Sequence, residues 1–168
     1  SGPISGVGSL TVVNDNAITL SNAANSYDGN TTIGGGGSGN NATLQLGASE
    51  VIPHGAGKGN LVFNASGGGT ATFNLAGYTE TINGLSSGGA GACVINNSTG
   101  NGLLRVGAND ANGNFAGVIR NTGGTLALEK TGAGTLILTG ANTYSGTTTI
   151  SGGVLELGDG GTLGTGNV

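Results

Sequence analysis

Residues 25–33 read NSYDGNTTI, residues 142–150 read NTYSGTTTI, and six of these nine positions are identical. The shared residues are Asn25/Asn142, Tyr27/Tyr144, Gly29/Gly146, Thr31/Thr148, Thr32/Thr149 and Ile33/Ile150. The match extends outward: Leu10 and Val12 fall opposite Leu126 and Leu128, Ile18 and Leu20 opposite Leu136 and Leu138, and Leu44 and Leu46 opposite Leu155 and Leu157. The first copy carries an insertion at residues 34–41, GGGGSGNN, which reads as a loop bulging from the repeat. The offset between copies is 111 to 118 residues, so the chain holds about one and a half units.

Glycine spacing sets the local structure. After Asp28 no glycine-free run exceeds eight residues (92–99), so a helix of ordinary length carries interior glycine at about 1 kcal/mol each. Between the glycines lie short, alternating, β-branched runs such as residues 9–12, 60–63, 70–75, 135–138 and 154–157. The glycine-free stretch 14–28 favours turns and Asx-type backbone bonds over a helix. Single short strands cannot close a core, but coils stacked at roughly 4.8 Å share one. The expected fold is therefore an all-β, single-stranded parallel β-solenoid with coils of roughly 20 to 25 residues, about seven or eight in all. Leu136, Leu138, Leu155 and Leu157 are expected to point inward, and Arg120 to lie on a solvated edge.

Composition narrows function. Of 168 residues, 39 are glycine, 20 asparagine and 21 threonine, while charged residues are 7%. Net charge is −4, and Lys58, Arg105, Arg120 and Lys130 are scattered in sequence, which leaves no electrostatic footprint for nucleic acid or anionic lipid. No apolar run approaches a membrane span and no signal-peptide pattern opens the chain, so any export signal lies outside it. The one cysteine, Cys93, set among Ala92, Val94 and Ile95, reads as a small buried hydrophobe.

Residues 132–158, GAGTLILTGANTYSGTTTISGGVLELG, resemble the autotransporter-associated β-strand repeat, also called the passenger-associated transport repeat, of bacterial surface proteins. Residues 114–131 resemble its lead-in, and residues 2–47 a second copy that departs by the loop and by NDNAITL for GAGTLIL. The start at Gly2, Pro3, Ile4, Ser5 and Gly6 corresponds loosely to the stretch from Gly117 to Ile119. Residues 73–107 resemble the spacer coils between such repeats. The resemblance implies a right-handed parallel β-helix running through residues 1–168 as one continuous body. In it copy 1 takes about 2–47, spacer coils about 48–113, copy 2 about 114–158, and the next spacer begins at 159–168. It also implies an exported passenger at the bacterial cell surface, acting as a structural and adhesive rod or an extracellular filament. Expected partners are neighbouring repeats, or other copies stacked head to tail through the solenoid ends, with an unspecified host-surface or glycan ligand. The resemblance names no catalytic residue and no cofactor.

Motifs that carry chemistry are few and incomplete. Residues 84–88 fit G-x-S-x-G, but a nucleophile elbow needs a strand-to-helix turn and a histidine, and the one histidine, His54, follows Pro53 in a turn-like stretch. Residues 52–59, IPHGAGKG, lack the first P-loop glycine and the hydroxyl residue after Lys58, which reads as a solvated loop charge. The Asp110 and Asp159 turns place oxygens near calcium-loop spacing without completing a loop, so turn chemistry is the preferred reading and no metal ligand is assigned. The eight acids, Asp15, Asp28, Glu50, Glu80, Asp110, Glu129, Glu156 and Asp159, form no sequence cluster, although stacking is able to unite distant ones. A polysaccharide-binding or lyase-like solenoid is the catalytic alternative. An ice- or surface-binding face is a further alternative, suggested by the pairs Thr70/Thr72, Thr79/Thr81 and Thr147/Thr149. Tyr27 and Tyr144 read as turn tyrosines packed on a neighbouring coil in preference to sugar-stacking platforms.

Overall fold

The computed structural model describes residues 2–13, 15–34, 41–88 and 92–168. Among these there are sixteen strands and no helix, and every pairing between strands is parallel. The strands build three sheets, here called the first, second and third faces. The first face contains β1 (Leu10–Val12), β3 (Thr31–Gly34), β5 (Leu61–Asn64), β8 (Leu85–Gly88), β11 (Gly113–Phe115), β14 (Thr135–Leu138) and β16 (Val154–Leu157). The second holds β2 (Asn16–Leu20), β4 (Ala42–Leu46), β6 (Thr70–Asn74), β9 (Ala92–Asn97) and β12 (Val118–Asn121). The third holds β7 (Thr79–Ile82), β10 (Asn101–Val106), β13 (Thr125–Lys130) and β15 (Thr148–Ile150). From β5 to β14 the chain visits the faces in that order and returns one strand further along, while the first two coils form no third-face strand and the last no second-face strand; the result is the expected parallel β-solenoid.

The alternation of each strand puts one residue set inside, and register lines these sets into columns along the axis. Leu44, Phe73, Ile95 and Ile119 form one such column, all buried. On the first face the small Ser87 faces Phe63, and this allows the rings of Phe63 and Phe115 to meet edge to face at 5.2 Å. Cys93 is a buried free thiol, and burial pushes its pKa up.

Corners explain the rest of the composition. At strand spacing the corner backbones touch, so a Cβ on Gly124 (φ +66°) falls onto the Gly100 carbonyl, one on Gly59 onto Gly29, and one on Gly140 onto Gly117. Where the backbone ladder breaks, side-chain oxygens accept N–H groups of the next coil. Asn30 Oδ1 accepts Asn60 N at 2.8 Å, Asn60 Oδ1 accepts Gly84 N at 2.9 Å, and Asn112 Oδ1 accepts Thr135 N at 2.7 Å.

Three expectations need correcting in detail. The stretch 14–28 is not turns throughout, because Asn16–Leu20 pairs in full with Ala42–Leu46 and becomes β2. The first face has seven strands and thus six coil steps among the described residues, fewer than seven or eight coils. Two steps are lengthened, from Thr31 to Leu61 and from Ser86 to Asn114. Leu136 and Leu138 are buried, but Leu155 is only partly covered and Leu157 is 46% exposed, since no further strand lies beyond β16. Leu138 and Leu157 share a register position yet differ in cover, so they make a matched test. Leu138→Ala should cost about 2–4 kcal/mol, while Leu157→Ala should cost under about 1 kcal/mol, both read from urea midpoints at constant m.

Candidate functional surface

The repeat copies perform one structural task. Asn25 Oδ1 accepts Ile4 N from the preceding coil at 2.8 Å, and its amide donates to Val51 O of the following coil at 2.9 Å. Asn142 does the same with Ile119 N at 2.8 Å and Thr162 O at 2.7 Å. Two residues on, the hydroxyls of Tyr27 and Thr31, and of Tyr144 and Thr148, each meet at 2.7 Å. Both tyrosines are buried, so they are packed turn residues and not sugar platforms. The loose correspondence of Ile4 with Ile119 is a true structural equivalence at this latch.

The two latches nevertheless lie on different faces. Copy 1 runs β1, β2, β3, β4 over the first and second faces, whereas the aligned strands of copy 2, β13, β14, β15, β16, run over the third and first. About four and two-thirds turns separate them, so equivalent residues are rotated by one face.

Register also unites charges that the sequence scatters. Arg105 Nε donates to Glu129 Oε2 at 2.8 Å, Arg105 Nη1 stands 3.9 Å from Glu50 Oε1, and His54 Nδ1 stands 3.7 Å from Glu50 Oε2. Glu50 accepts Thr81 N and Oγ1, and Ser151 Oγ donates to Glu129 Oε1 at 2.7 Å. The result is an axial strip along the third face. Hydrogen bonds from Ser151 and Arg105 hold the Glu129 carboxyl below its usual range. Lys58 corrects the expectation of a free loop charge: its ammonium meets Asp28 Oδ1 at 2.6 Å and Ser26 O at 2.8 Å, one coil away. The signal was present in register, since Arg105 and Glu129 sit one coil apart, but the coil length has to be known to read it.

Two ionisable groups lie inside. Glu80 is fully buried and accepts Val51 N at 3.0 Å and Ile52 N at 2.7 Å, and burial pushes its pKa up to about 8. Lys130 is buried beneath the third face, its ammonium donating to the carbonyls of Thr131, Gly132 and Gly152, and burial lowers its pKa.

The remaining sequence features take structural places. Ser86 sits mid-strand in β8, paired with Asn114, and His54 bonds Ile52 O on another face, so no nucleophile elbow exists. An open, uncharged hollow of about 390 Å³ lies over Ser86, Asn114 and Ile137. Asp110 Oδ1 is engaged by Ala133 N at 2.7 Å. Asp15 Oδ1 accepts Asn41 N, and Glu156 lies on β16 opposite Ile137. The threonine pairs do not share a plane: Thr70 and Thr72 lie on the second face, Thr79, Thr81 and Thr149 on the third, and Thr147 just before β15. Among the described residues no group of three or more His, Cys, Asp or Glu is placed to hold a metal ion.

Because the strip is half-exposed, its worth is modest. Arg105→Ala should destabilise by about 0.5–1 kcal/mol in dilute buffer and less in about 1 M salt, as measured by denaturation at both ionic strengths. An effect that does not change with salt would assign Arg105 a packing role instead.

Comparison with known proteins agrees with the geometry. A family model described as passenger-associated-transport-repeat matches residues 10–37 and 128–157, the two stretches that contain the latches. The adhesin BmaC autotransporter of Brucella suis biovar 1 (strain 1330) is 36% identical over 168 residues, covering 97% of this chain. The chain spans 4% of that relative's length. No solved structure matches. With two matched stretches tying three coils together in the same way on one solenoid, the chain carries two copies of the passenger-associated transport repeat and is similar to a segment of an autotransporter adhesin.

Proposed function

We propose that this chain is a rod segment of an exported bacterial surface adhesin, contributing length, stiffness and presentation without catalysis. The observation that carries this reading is the unbroken stack: polar side chains at the corners are spent on N–H groups of adjacent coils, and the buried latches serve coil-to-coil attachment. A lyase-like module needs carboxylates with a base or metal on an accessible face. Here the partly exposed carboxylates Glu50 and Glu129 are engaged by Arg105, Thr81 and Ser151, and among the described residues no three or more His, Cys, Asp or Glu gather to hold a metal ion. Incubation with polygalacturonate and other acidic glycans, with and without calcium, should release no unsaturated oligosaccharide. Release abolished by a single Asp or Glu substitution would overturn the reading.

Self-association through the ends is part of the proposal. On the last coil Ile150, Val154 and Leu157 are 50%, 51% and 46% exposed, and the N–H and C=O row of β16 has no strand beyond it. The 168-residue segment in isolation should therefore stack head to tail, giving open-ended assemblies rather than a closed dimer. Sedimentation should show mass rising with concentration, and Val154→Lys should suppress it. A monomer at every concentration would refute end-to-end stacking.

A further inference from the structure

Residues 47–60 occupy the third face of their coil without forming a strand. Among the described residues a single backbone-to-backbone bond, Glu50 N to Thr79 O at 3.1 Å, ties this stretch to β7. Side chains do the rest. Glu80, pointing inward from β7, receives the N–H groups of Val51 and Ile52. Asn83 receives Gly55 N at 2.7 Å and donates to the carbonyls of Gly55, Lys58 and Gly59. Glu50 itself stands at φ 53°, and Gly55 and Gly57 are also left-handed, so the stretch is bent at both its start and its middle.

We propose that residues 47–60 form a proton-governed clasp on the rod, closed over the neutral Glu80 side chain and opening when that carboxyl ionises. The charge is disfavoured in the closed state because Glu80 is fully enclosed, and Glu50 adds a like charge beside it. The N–H groups of Ile52, Val51 and Glu50 favour the carboxylate but do not offset enclosure. The groups that face Glu80 from the surrounding elements are Glu50 on the clasp and Tyr27 on the preceding coil. Leu104, its register neighbour on β10, is apolar. Arg105 reaches Glu50 at 3.9 Å and so tempers its charge from outside. Opening hydrates Glu80 and uncovers Val51 and Ile52, which are buried when the clasp is closed.

The sign follows from linkage. A carboxyl whose pKa is raised in the closed state holds its proton there, so closure is strongest below the ordinary carboxylate range and weakens as pH rises through about 8. This is the reverse of the common acid-labile carboxylate. Hydrogen exchange by mass spectrometry on the whole chain, at pH 5.5 and 9.0 with intrinsic rates divided out, reads it directly. Protection across residues 49–60 should fall more than about tenfold between the two pH values, while β13 and β14 keep theirs. In Glu80→Gln the clasp should lose this pH dependence. In the unaltered chain, the carboxyl carbon of Glu80 should titrate by NMR well above the ordinary range, an observation that does not depend on the variant folding. A uniform loss of protection along the whole chain, an unchanged pH dependence in Glu80→Gln, or an ordinary Glu80 titration would each overturn the proposal.

Discussion

Coils stacked at the spacing of hydrogen-bonded strands, roughly 4.8 Å, leave room for backbone alone where the corners of successive coils meet directly. That constraint dictates most of this sequence. Gly100 and Gly124, Gly29 and Gly59, and Gly117 and Gly140 are neighbours across coils for this reason, and a methyl group on the later member of each pair strikes the earlier one. The same constraint limits strands to three to six residues, because a corner must follow soon after each. It also strips the corners of ladder bonds, which is why asparagine, whose short side chain reaches one coil and no further, is so frequent.

Charge is handled by the same geometry. In ordinary globular domains an inward Glu or Lys is expensive, and here each is accommodated where a corner or an irregular stretch presents unpaired backbone groups. Glu80 meets N–H groups and Lys130 meets carbonyls, so each ionisable group replaces ladder bonds that the local backbone fails to make. On the outside, Lys58 with Asp28 and Arg105 with Glu50 and Glu129 link coils along the axis.

The solenoid and the equivalence of the two copies were legible because they are written in identity at matched positions, with leucines at matching offsets. Tyr144 was legible as packing because its partner Thr148 lies four residues on, inside the same matched block. What escaped was anything that depends on the exact length of a coil. Arg105 and Glu129 pair because their coil step is 24 residues, a value no single sequence reveals when other steps differ. Glu80 looked like one of eight scattered acids, since its partners are backbone groups 28 and 29 residues earlier that carry no side-chain signature. The burial of Lys130 was hidden for a similar reason: a lysine ending an alternating strand looks like a terminus in solvent, and only its register with Val106 and Ile150 puts it inside.

The rotation between the two copies has a consequence for how such a rod meets its surroundings. A spacing of about four and two-thirds turns means that the second copy looks out in a different compass direction from the first, and a series kept at this interval would regain the original bearing after three. Any feature carried at a fixed position of the repeat is thereby wound around the shaft like a thread. A rod wound in this way has no front and no back.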